Sequence, residues 1–264
     1  MKTLIVLFRV CTLISMLLAP VVWSAGLPDL IEKITPGVVG VGTAYPPRQP
    51  NVKGERVVYL ATGFVVGDGR HIITNAHVTA VQLDSDNNQT LAIFTGRGVD
   101  ATAHPARVVR EDEEHDLALL EIQGSKLPTL QLGNSDSVRP GQDIAFTGFP
   151  LGMALGLYPV THRGIVSAIT PAAHPSAHSD RLNSIKIKRM RSGFDAFQLD
   201  ATAYPGNSGS PVFELSSGRV IGVINSVVVK ETKETMLANP SGITYAIPAR
   251  YIQPLLSGLG GTGP

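Results

Sequence analysis

Short runs of apolar and β-branched residues, separated by turn signals at close spacing, recur along most of this chain. The run at residues 56–66 breaks at Gly67-Asp68-Gly69 and resumes at residues 71–74, which is the pattern of a β-hairpin. Many short strands and few helices predict an all-β barrel or sandwich. The other predicted strands are residues 38–43, 90–95, 106–109, 116–122, 142–149, 160–169, 197–200, 210–213, 219–229 and 243–247.

Two short helices are predicted, one near each end of the strand-rich region. Residues 27–34 carry apolar positions at roughly helical spacing, and Pro36 and Gly37 stop the pattern. A second short helix follows the last predicted strand, before the tail of residues 258–264. Residues 126–139 contain Pro, Gly and Asn, and they predict a connection between two halves of the chain.

Residues 1–25 differ in kind from the rest of the chain. Two basic residues accompany a mostly apolar run at residues 10–22, and small residues follow it, which is typical of a secretory signal peptide. The alternative is a membrane anchor, but the run is shorter than the ~20 residues that a spanning helix needs, and no basic stop-transfer cluster follows. We therefore expect cleavage after Ser24 or Ala25, a periplasmic or secreted location and no stable membrane anchor.

Composition narrows the classes of function. Hydrophobic residues make up 43% of the sequence, as in an ordinary globular protein. The only cysteine, Cys11, lies in the signal segment, so the exported chain has no disulfide, no cysteine nucleophile and no thiolate metal ligand. Without Lys2 and Arg9 the chain keeps 20 Lys and Arg against 21 Asp and Glu, a net charge of −1. This balance gives no reason to expect nucleic acid as a partner.

A candidate nucleophile lies in the stretch Gly206-Asn207-Ser208-Gly209-Ser210-Pro211. Glycines on either side of Ser208 allow backbone N–H groups to approach a substrate oxygen closely, as an oxyanion hole requires. Because a serine alcohol is a poor nucleophile by itself, this interpretation requires a histidine base and a carboxylate elsewhere in the chain. Taken alone, the same six residues also fit an ordinary Gly/Asn turn.

His77 and Asp116 are the candidates for the base and the carboxylate. His77 follows a predicted strand end, where a rigid scaffold can present it to a cleft, although a structural histidine fits the same position. Asp116 opens a nearly continuous apolar strand, where a carboxylate must be hydrogen-bonded. The alternative for Asp116 is a solvated residue that ends the acidic cluster at residues 111–114.

Three blocks of this chain resemble the active-site blocks of chymotrypsin-fold serine peptidases. They are residues 74–78 (TNAHV), 115–120 (HDLALL) and 206–211 (GNSGSP). Among these peptidases, the chain is most similar to the bacterial HtrA/Deg type. Supporting blocks that resemble the same type are residues 61–66 (ATGFVV), 148–152 (GFPLG) and 163–168 (RGIVSA). The resemblance extends from about Leu27 to the last predicted strand.

The resemblance implies a fold and a set of roles. The fold is all-β, with two six-stranded antiparallel barrels at roughly residues 37–125 and 140–248 and a short C-terminal helix, within a peptidase domain at residues 26–264. Ser208 is then the nucleophile, His77 the general base and acid, and Asp116 the carboxylate that holds the imidazole tautomer. The backbone N–H groups of Gly206 and Ser208 form the oxyanion hole, and no cofactor is expected.

The chain departs from the family pattern at two points. Ser210 stands where the family commonly has a second glycine, a form that resembles the glutamyl endopeptidases and leaves the triad intact. The chain also ends where the HtrA type usually continues into peptide-binding PDZ domains, so the resemblance does not imply allosteric control of activity through such a domain.

The resemblance also indicates the walls of the primary specificity pocket, which hold no charged residue. An unpaired buried charge costs several kcal/mol, so a pocket without charge disfavours Lys, Arg or Glu at the cleavage site. We expect cleavage after small or medium aliphatic residues, such as Ala, Val or Ile. The predicted wall residues are Thr202, Ala203, Tyr204, Asn225, Ser226 and Val227.

Two other polar clusters carry weaker signals. His174 and His178 have the spacing of metal ligands on a helix, but Pro175 argues against a helix, so we predict an exposed loop and no metal site. The basic residues 186–191 predict a strand edge or a solvated loop, and the alternative is a regulatory or anionic-surface contact.

The sequence therefore predicts a secreted serine endopeptidase that acts on unfolded or damaged proteins. Its expected partner is a protein or peptide substrate, and the sequence also permits a homo-oligomer. The alternative is a catalytically silent binding or chaperone-like protein that kept the fold and lost turnover.

Overall fold

The computed structural model describes residues 26–46, 57–151, 156–171, 194–225 and 243–259. Six antiparallel strands close the first barrel in the order β1-β2-β3-β6-β5-β4. A short turn joins β2 to β3, and Val66 lies opposite His71 in this pair. The six strands are β1 (Val38–Ala44), β2 (Val57–Val66), β3 (His71–Thr74), β4 (Thr90–Thr95), β5 (Thr102–Asp112) and β6 (Leu117–Ile122).

The second barrel follows the connection at residues 126–139 and has the same architecture. Its strands close in the order β10-β11-β12-β9-β8-β7, and all pairs are antiparallel. The strands are β7 (Asp143–Gly148), β8 (Val160–Pro171), β9 (Asp195–Asp200), β10 (Pro211–Glu214), β11 (Val220–Asn225) and β12 (Ile243–Pro248). The predicted pair of six-stranded barrels is thus confirmed.

Helices are short. Helix α1 (Leu27–Ile34) precedes the first barrel, α2 (Ala76–Thr79) follows β3, and α3 (Gln253–Leu256) follows the last strand. Within the described residues no helix has the length and apolar character needed to cross a membrane. The 3₁₀ turns are Thr35–Gly37, Ser85–Asn87, Gly98–Asp100, Ser135–Ser137 and Ala249–Ile252.

Each barrel has an apolar interior, and a third cluster joins the two. Val41 and Ile72 belong to the first interior, and Phe146 belongs to the second. The shared cluster includes Phe64 from β2 and Phe213 from β10, both fully buried. Because apolar burial contributes about 25 cal/mol per Å², this shared cluster fixes the two barrels against each other.

Two strand predictions need correction. The fifth strand was expected at residues 106–109, but β5 runs from Thr102 to Asp112. Its residues alternate between exposed and partly buried and form no apolar run, so hydrophobicity alone gave a strand that was too short. Asp116 was expected to open the sixth strand, but it precedes β6 with a left-handed φ of 54°.

Other predictions fall on parts of the chain that the structure does not describe. The signal peptide at residues 1–25, the basic residues 186–191, and His174 and His178 all lie outside the described residues. The end of the eleventh strand, expected at residue 229, also lies outside them. These interpretations, and the proposed domain limits, stay predictions.

Candidate active site

His77 lies on the short helix α2, directly after β3. Asn75, which connects the two elements, is fully buried, and its side-chain amide donates a hydrogen bond of 3.0 Å to the backbone carbonyl of Asp116. The backbone N–H of Ala76 donates to the same carbonyl at 3.2 Å. The end of β3 is thus fixed against the residue that precedes β6, which holds His77 beside Asp116.

Asp116 directs both carboxylate oxygens at hydrogen-bond donors. Its Oδ2 lies 2.7 Å from Nδ1 of His77, and its Oδ1 accepts the backbone N–H of His77 at 2.9 Å. The side-chain amide of Asn225 donates a further bond of 3.0 Å to Oδ2. These three donors offset the desolvation of a buried carboxylate. The left-handed backbone at Asp116, which a non-glycine residue seldom adopts, is held in place by the same contacts.

The pairing with Asp116 sets the tautomer of His77. A carboxylate has no proton to donate, so Nδ1 of His77 is the donor, and the neutral ring keeps its lone pair on Nε2. A general base in acyl transfer needs this tautomer. The side chain of His77 is 32% exposed, so the ring is accessible to a substrate.

The turn around Ser208 needs glycine on both sides. Gly206 has a φ of 100° and Gly209 a φ of 84°, in the region that favours glycine. A Cβ on Gly209 would lie 2.0 Å from the backbone oxygen of Thr62, so no larger residue fits there. Ser208 itself is buried, with 7% exposure, and its carbonyl accepts the backbone N–H of Thr62 at 2.9 Å.

The two predicted oxyanion-hole N–H groups have fixed directions. The carbonyl of Pro205 accepts the N–H of Leu151 at 2.7 Å, and the carbonyl of Asn207 accepts the N–H of Ser210 at 3.0 Å. Each of these carbonyls shares a peptide unit with one of the two N–H groups. Because the C=O and N–H of a trans peptide point in opposite directions, the N–H groups of Gly206 and Ser208 point away from Leu151 and Ser210, respectively. Within the described residues neither N–H donates to a protein group. Both are therefore available to a ligand.

Ser208 and the His77–Asp116 pair come from different barrels and are joined through β11. The N–H of Gly209 donates to the carbonyl of Ile224 at 2.9 Å, and the next residue, Asn225, donates to Asp116. Across the described ranges no hydrogen bond joins the Ser208 hydroxyl to His77. Such bonds are often long without substrate and tighten when it binds. The contact between His77 and Ser208 stays a prediction.

The predicted pocket walls are described in part. Thr202, Ala203 and Tyr204 are partly exposed, and the N–H of Ala203 donates to Thr244 Oγ1 at 3.0 Å, which ties this wall to β12. Asn225 is 6% exposed, and its amide reaches Asp116. Ser226 and Val227 lie outside the described residues. The pocket assignment stays a prediction.

Sequence reasoning missed three contributors to this site: Thr62, Leu151 and the amide of Asn225. Thr62 and Leu151 belong to blocks that resemble the family, but block membership alone indicates no hydrogen-bond partner. Among the described residues no cluster of three or more His, Cys, Asp or Glu side chains forms a metal site.

Solved structures with the same fold include HtrA-type proteases. The structure of the HtrA-type protease AlgW with decapeptide matches with a TM-score of 0.61 at 24% identity, over 87% of this chain and 66% of that chain. The crystal structure of Deg5 matches with a TM-score of 0.59 at 25% identity, over 89% of this chain and 95% of that chain. These similarities establish a common fold.

Sequence relatives are serine proteases of the same type. Serine protease HTRA1A of Danio rerio is 31% identical over 236 residues, which cover 88% of this chain and 40% of the relative. A probable periplasmic serine endoprotease DegP-like of Marinomonas sp. (strain MWYL1) is 32% identical over 222 residues, which cover 84% of this chain and 39% of the relative. The chain thus spans about two fifths of the length of the curated relatives it matches.

The family model described as a trypsin-like peptidase domain matches residues 61–223. This range is more than half of the chain, and it contains His77, Asp116 and Ser208. It begins within β2 and ends within β11, so it includes strands of both barrels. The chain therefore belongs to the trypsin-like peptidase family and is homologous to the HtrA and DegP serine proteases.

Proposed function

We propose that this chain is an exported serine endopeptidase that hydrolyses peptide bonds of unfolded or damaged proteins through Ser208, His77 and Asp116. The observation that carries the proposal is the pair of hydrogen bonds from His77 to Asp116, which leaves Nε2 of His77 as the basic nitrogen. The N–H groups of Gly206 and Ser208, which have no acceptor among the described residues, support the same chemistry, because a developing oxyanion needs donors that are already oriented.

The acylation step follows from this arrangement. Nε2 of His77 takes the hydroxyl proton of Ser208 while Oγ bonds to the scissile carbonyl carbon. The negative charge moves to the carbonyl oxygen, where the N–H groups of Gly206 and Ser208 stabilise it, and one such donor is worth about 10²- to 10³-fold in kcat. When the C–N bond breaks, protonated His77 gives its proton to the leaving amine. An acyl ester on Ser208 remains.

Deacylation repeats the same roles with water. His77 takes a proton from the water molecule as its oxygen attacks the ester carbonyl, and the oxyanion hole again accepts the charge. The C–O bond to Ser208 then breaks, and His77 returns the proton to Oγ. Asp116 stays ionised throughout and stabilises the imidazolium that forms in each step. No metal or organic cofactor takes part in either step.

An exported location fits both the first residues and the relatives. Residues 1–25 carry the pattern of a signal peptide, and several relatives bear the name periplasmic serine endoprotease. Solved structures of AlgW hold short peptides, which supports a protein or peptide substrate here. Assembly into a homo-oligomer is compatible with this proposal and is not needed for it.

The pocket favours cleavage after small or medium aliphatic residues. The proposed wall residues are all uncharged: Thr202, Ala203 and Tyr204 before the nucleophile, and Asn225, Ser226 and Val227 after it in sequence. A Lys, Arg or Glu side chain in such a pocket has no counter-charge, which costs several kcal/mol. Discrimination among aliphatic residues is modest, because one methylene in an apolar pocket is worth about 1–3 kcal/mol.

A hydrolysis assay on matched variants distinguishes the proposed peptidase from the alternative, a catalytically silent binding protein. We expect the wild type to release peptides from a denatured protein, and Ser208→Ala and His77→Ala to be slower by about 10⁶-fold, since the triad acts as a unit. Ser210→Ala is the matched control, because its buried hydroxyl has no partner among the described residues. A binding protein would retain the substrate in all four forms and release no peptides from any of them.

A further inference from the structure

Thr62, on β2 of the first barrel, directs its backbone N–H and its hydroxyl toward the second barrel. They face the turn at residues 206–209, which carries Ser208 and is called the nucleophile turn below. The residue is 0% exposed, and its backbone N–H donates to the carbonyl of Ser208 at 2.9 Å. Its own carbonyl accepts the hydroxyl of Thr74 at 2.8 Å. Thr62 is thus fixed in the first barrel and joined to the second.

The hydroxyl of Thr62 bridges two separate segments of the second barrel. Its Oγ1 donates to the carbonyl of Gly206 at 2.8 Å, and it accepts the N–H of Phe149 at 2.9 Å. A hydroxyl has one proton to donate, and a backbone N–H can only donate, so the direction of both bonds is fixed. A valine at this position would keep the shape and lose both bonds.

These bonds hold Gly206 from both sides. The carbonyl before it, of Pro205, accepts the N–H of Leu151 at 2.7 Å, and its own carbonyl accepts the hydroxyl of Thr62 at 2.8 Å. Leu151 follows Phe149 by two residues and has a left-handed φ of 53°, so the position of this short segment decides whether its N–H reaches Pro205. By anchoring Phe149, Thr62 contributes to both restraints on Gly206.

We infer that Thr62 is a positioning residue for the oxyanion hole, an inference that rests on the proposed function. Gly206 has great conformational freedom, and rotation of the Pro205–Gly206 peptide would replace the N–H that faces the oxyanion with a carbonyl oxygen. The hydroxyl of Thr62 prevents this rotation by fixing the Gly206 carbonyl and the segment that binds Pro205. The first barrel thereby stabilises an oxyanion hole that belongs to the second.

The test compares Thr62→Val with Thr62→Ser in the exported protein, on a peptide substrate with alanine at the cleavage site. Because an error of about 1 Å at a reacting centre costs about 10²-fold, we expect Thr62→Val to lower kcat by about 10- to 100-fold. KM should change by less than about threefold, since the oxyanion hole binds charge that exists mainly in the transition state. Thr62→Ser keeps the hydroxyl and should recover kcat to within about threefold of wild type.

Thr43→Val is the matched control, since Thr43 is also buried in the first barrel and its hydroxyl accepts a hydrogen bond from Gln89. We expect this variant to keep the wild-type kcat. A wild-type kcat in Thr62→Val, or equal losses in Thr62→Val and Thr62→Ser, would overturn the inference. If Thr62→Val does not fold, Thr62→Ala replaces it, and failure of both to fold would also overturn the inference in favour of a purely structural role. An inactive wild type would contradict the proposed function itself.

Discussion

The side-chain amide of Asn225, at the end of β11 in the second barrel, donates a hydrogen bond of 3.0 Å to Oδ2 of Asp116 in the first. The same carboxylate oxygen binds Nδ1 of His77 at 2.7 Å. The second barrel therefore orients the carboxylate that binds the proposed base, in addition to supplying the turn that carries the proposed nucleophile. This link places Asn225 in the support of Asp116, whereas the resemblance to the family places it in the pocket wall.

Substitution of Asn225 distinguishes these two roles. A hydrogen bond to a charged group is worth about 1.5–3 kcal/mol, so we expect Asn225→Ala to lower kcat by about tenfold or more on every substrate, without a change in cleavage preference. Ala203→Val is the contrasting variant, because it enlarges a predicted wall residue and should shift the preference from Val toward Ala. Kinetics on peptides that differ only at the cleavage site measure both effects. A changed preference at full rate in Asn225→Ala would place its main role in the pocket.

Replacement of Gly206 tests whether the shape of the nucleophile turn is essential. A Cβ on Gly206 would lie 2.4 Å from the carbonyl oxygen of Phe149, at a φ of 100°. We expect Gly206→Ala to lose at least about 10²-fold in kcat, as expected when an oxyanion-hole donor is lost. Gly124→Ala is the control, since Gly124 has a φ of 98° but no atom within 4 Å of the added Cβ. If the two variants were equally active, the close packing at Gly206 would have no part in catalysis.

The burial of His162 predicts that the free energy of unfolding depends on pH. Burial lowers the pKa of this histidine below its ordinary value of 6.5, and its ring stacks on Phe146 with centroids 4.9 Å apart. The folded protein therefore keeps the ring neutral at a pH where the unfolded chain binds a proton, so the free energy of unfolding falls as pH drops below about 6.5. Below the folded-state pKa of His162 this loss is complete.

The variant His162→Phe keeps a flat ring and removes the titration. Denaturant unfolding at several pH values between about 5 and 8 should show a shallower decline on the acid side than in the wild type. His104→Gln is a suitable comparison, because His104 is only partly buried on β5 and its ring forms a hydrogen bond of 2.8 Å with Thr95. Parallel pH curves for His162→Phe and wild type would exclude His162 as a source of the pH dependence.

Much of the fold was predictable because its strands are short, apolar and separated by Gly, Pro and Asn. The bounds of β3 and β4 follow directly from such runs, whereas β5 exceeds its prediction because its residues alternate in exposure. Spacing in sequence also cannot indicate that Asn225 reaches Asp116, since the two residues are 109 positions apart. The bond from Thr62 to Gly206 spans 144 positions and depends on the packing of two barrels. Sequence thus indicates candidate reacting residues more readily than the distant hydrogen bonds that position them.

Cleavage-site mapping tests the predicted specificity. Digestion of a denatured protein, followed by mass spectrometry of the peptides, should yield a majority of cuts after Ala, Val or Ile. The physical reason is that the predicted walls hold no charge to pair with an ionic side chain. A clear majority after Glu, Lys or Arg would refute the pocket assignment and leave the proposed roles of Ser208, His77 and Asp116 unaffected.

The most direct test of the central claim is labelling of the purified protein with a fluorophosphonate, followed by mass spectrometric mapping of the adduct. This reagent requires an activated serine and no knowledge of the natural substrate. We expect one adduct, on Ser208, and strongly reduced labelling in His77→Ala, because the base that removes the Ser208 proton is then absent. An unlabelled wild-type protein, or an adduct on a different serine, would contradict the account.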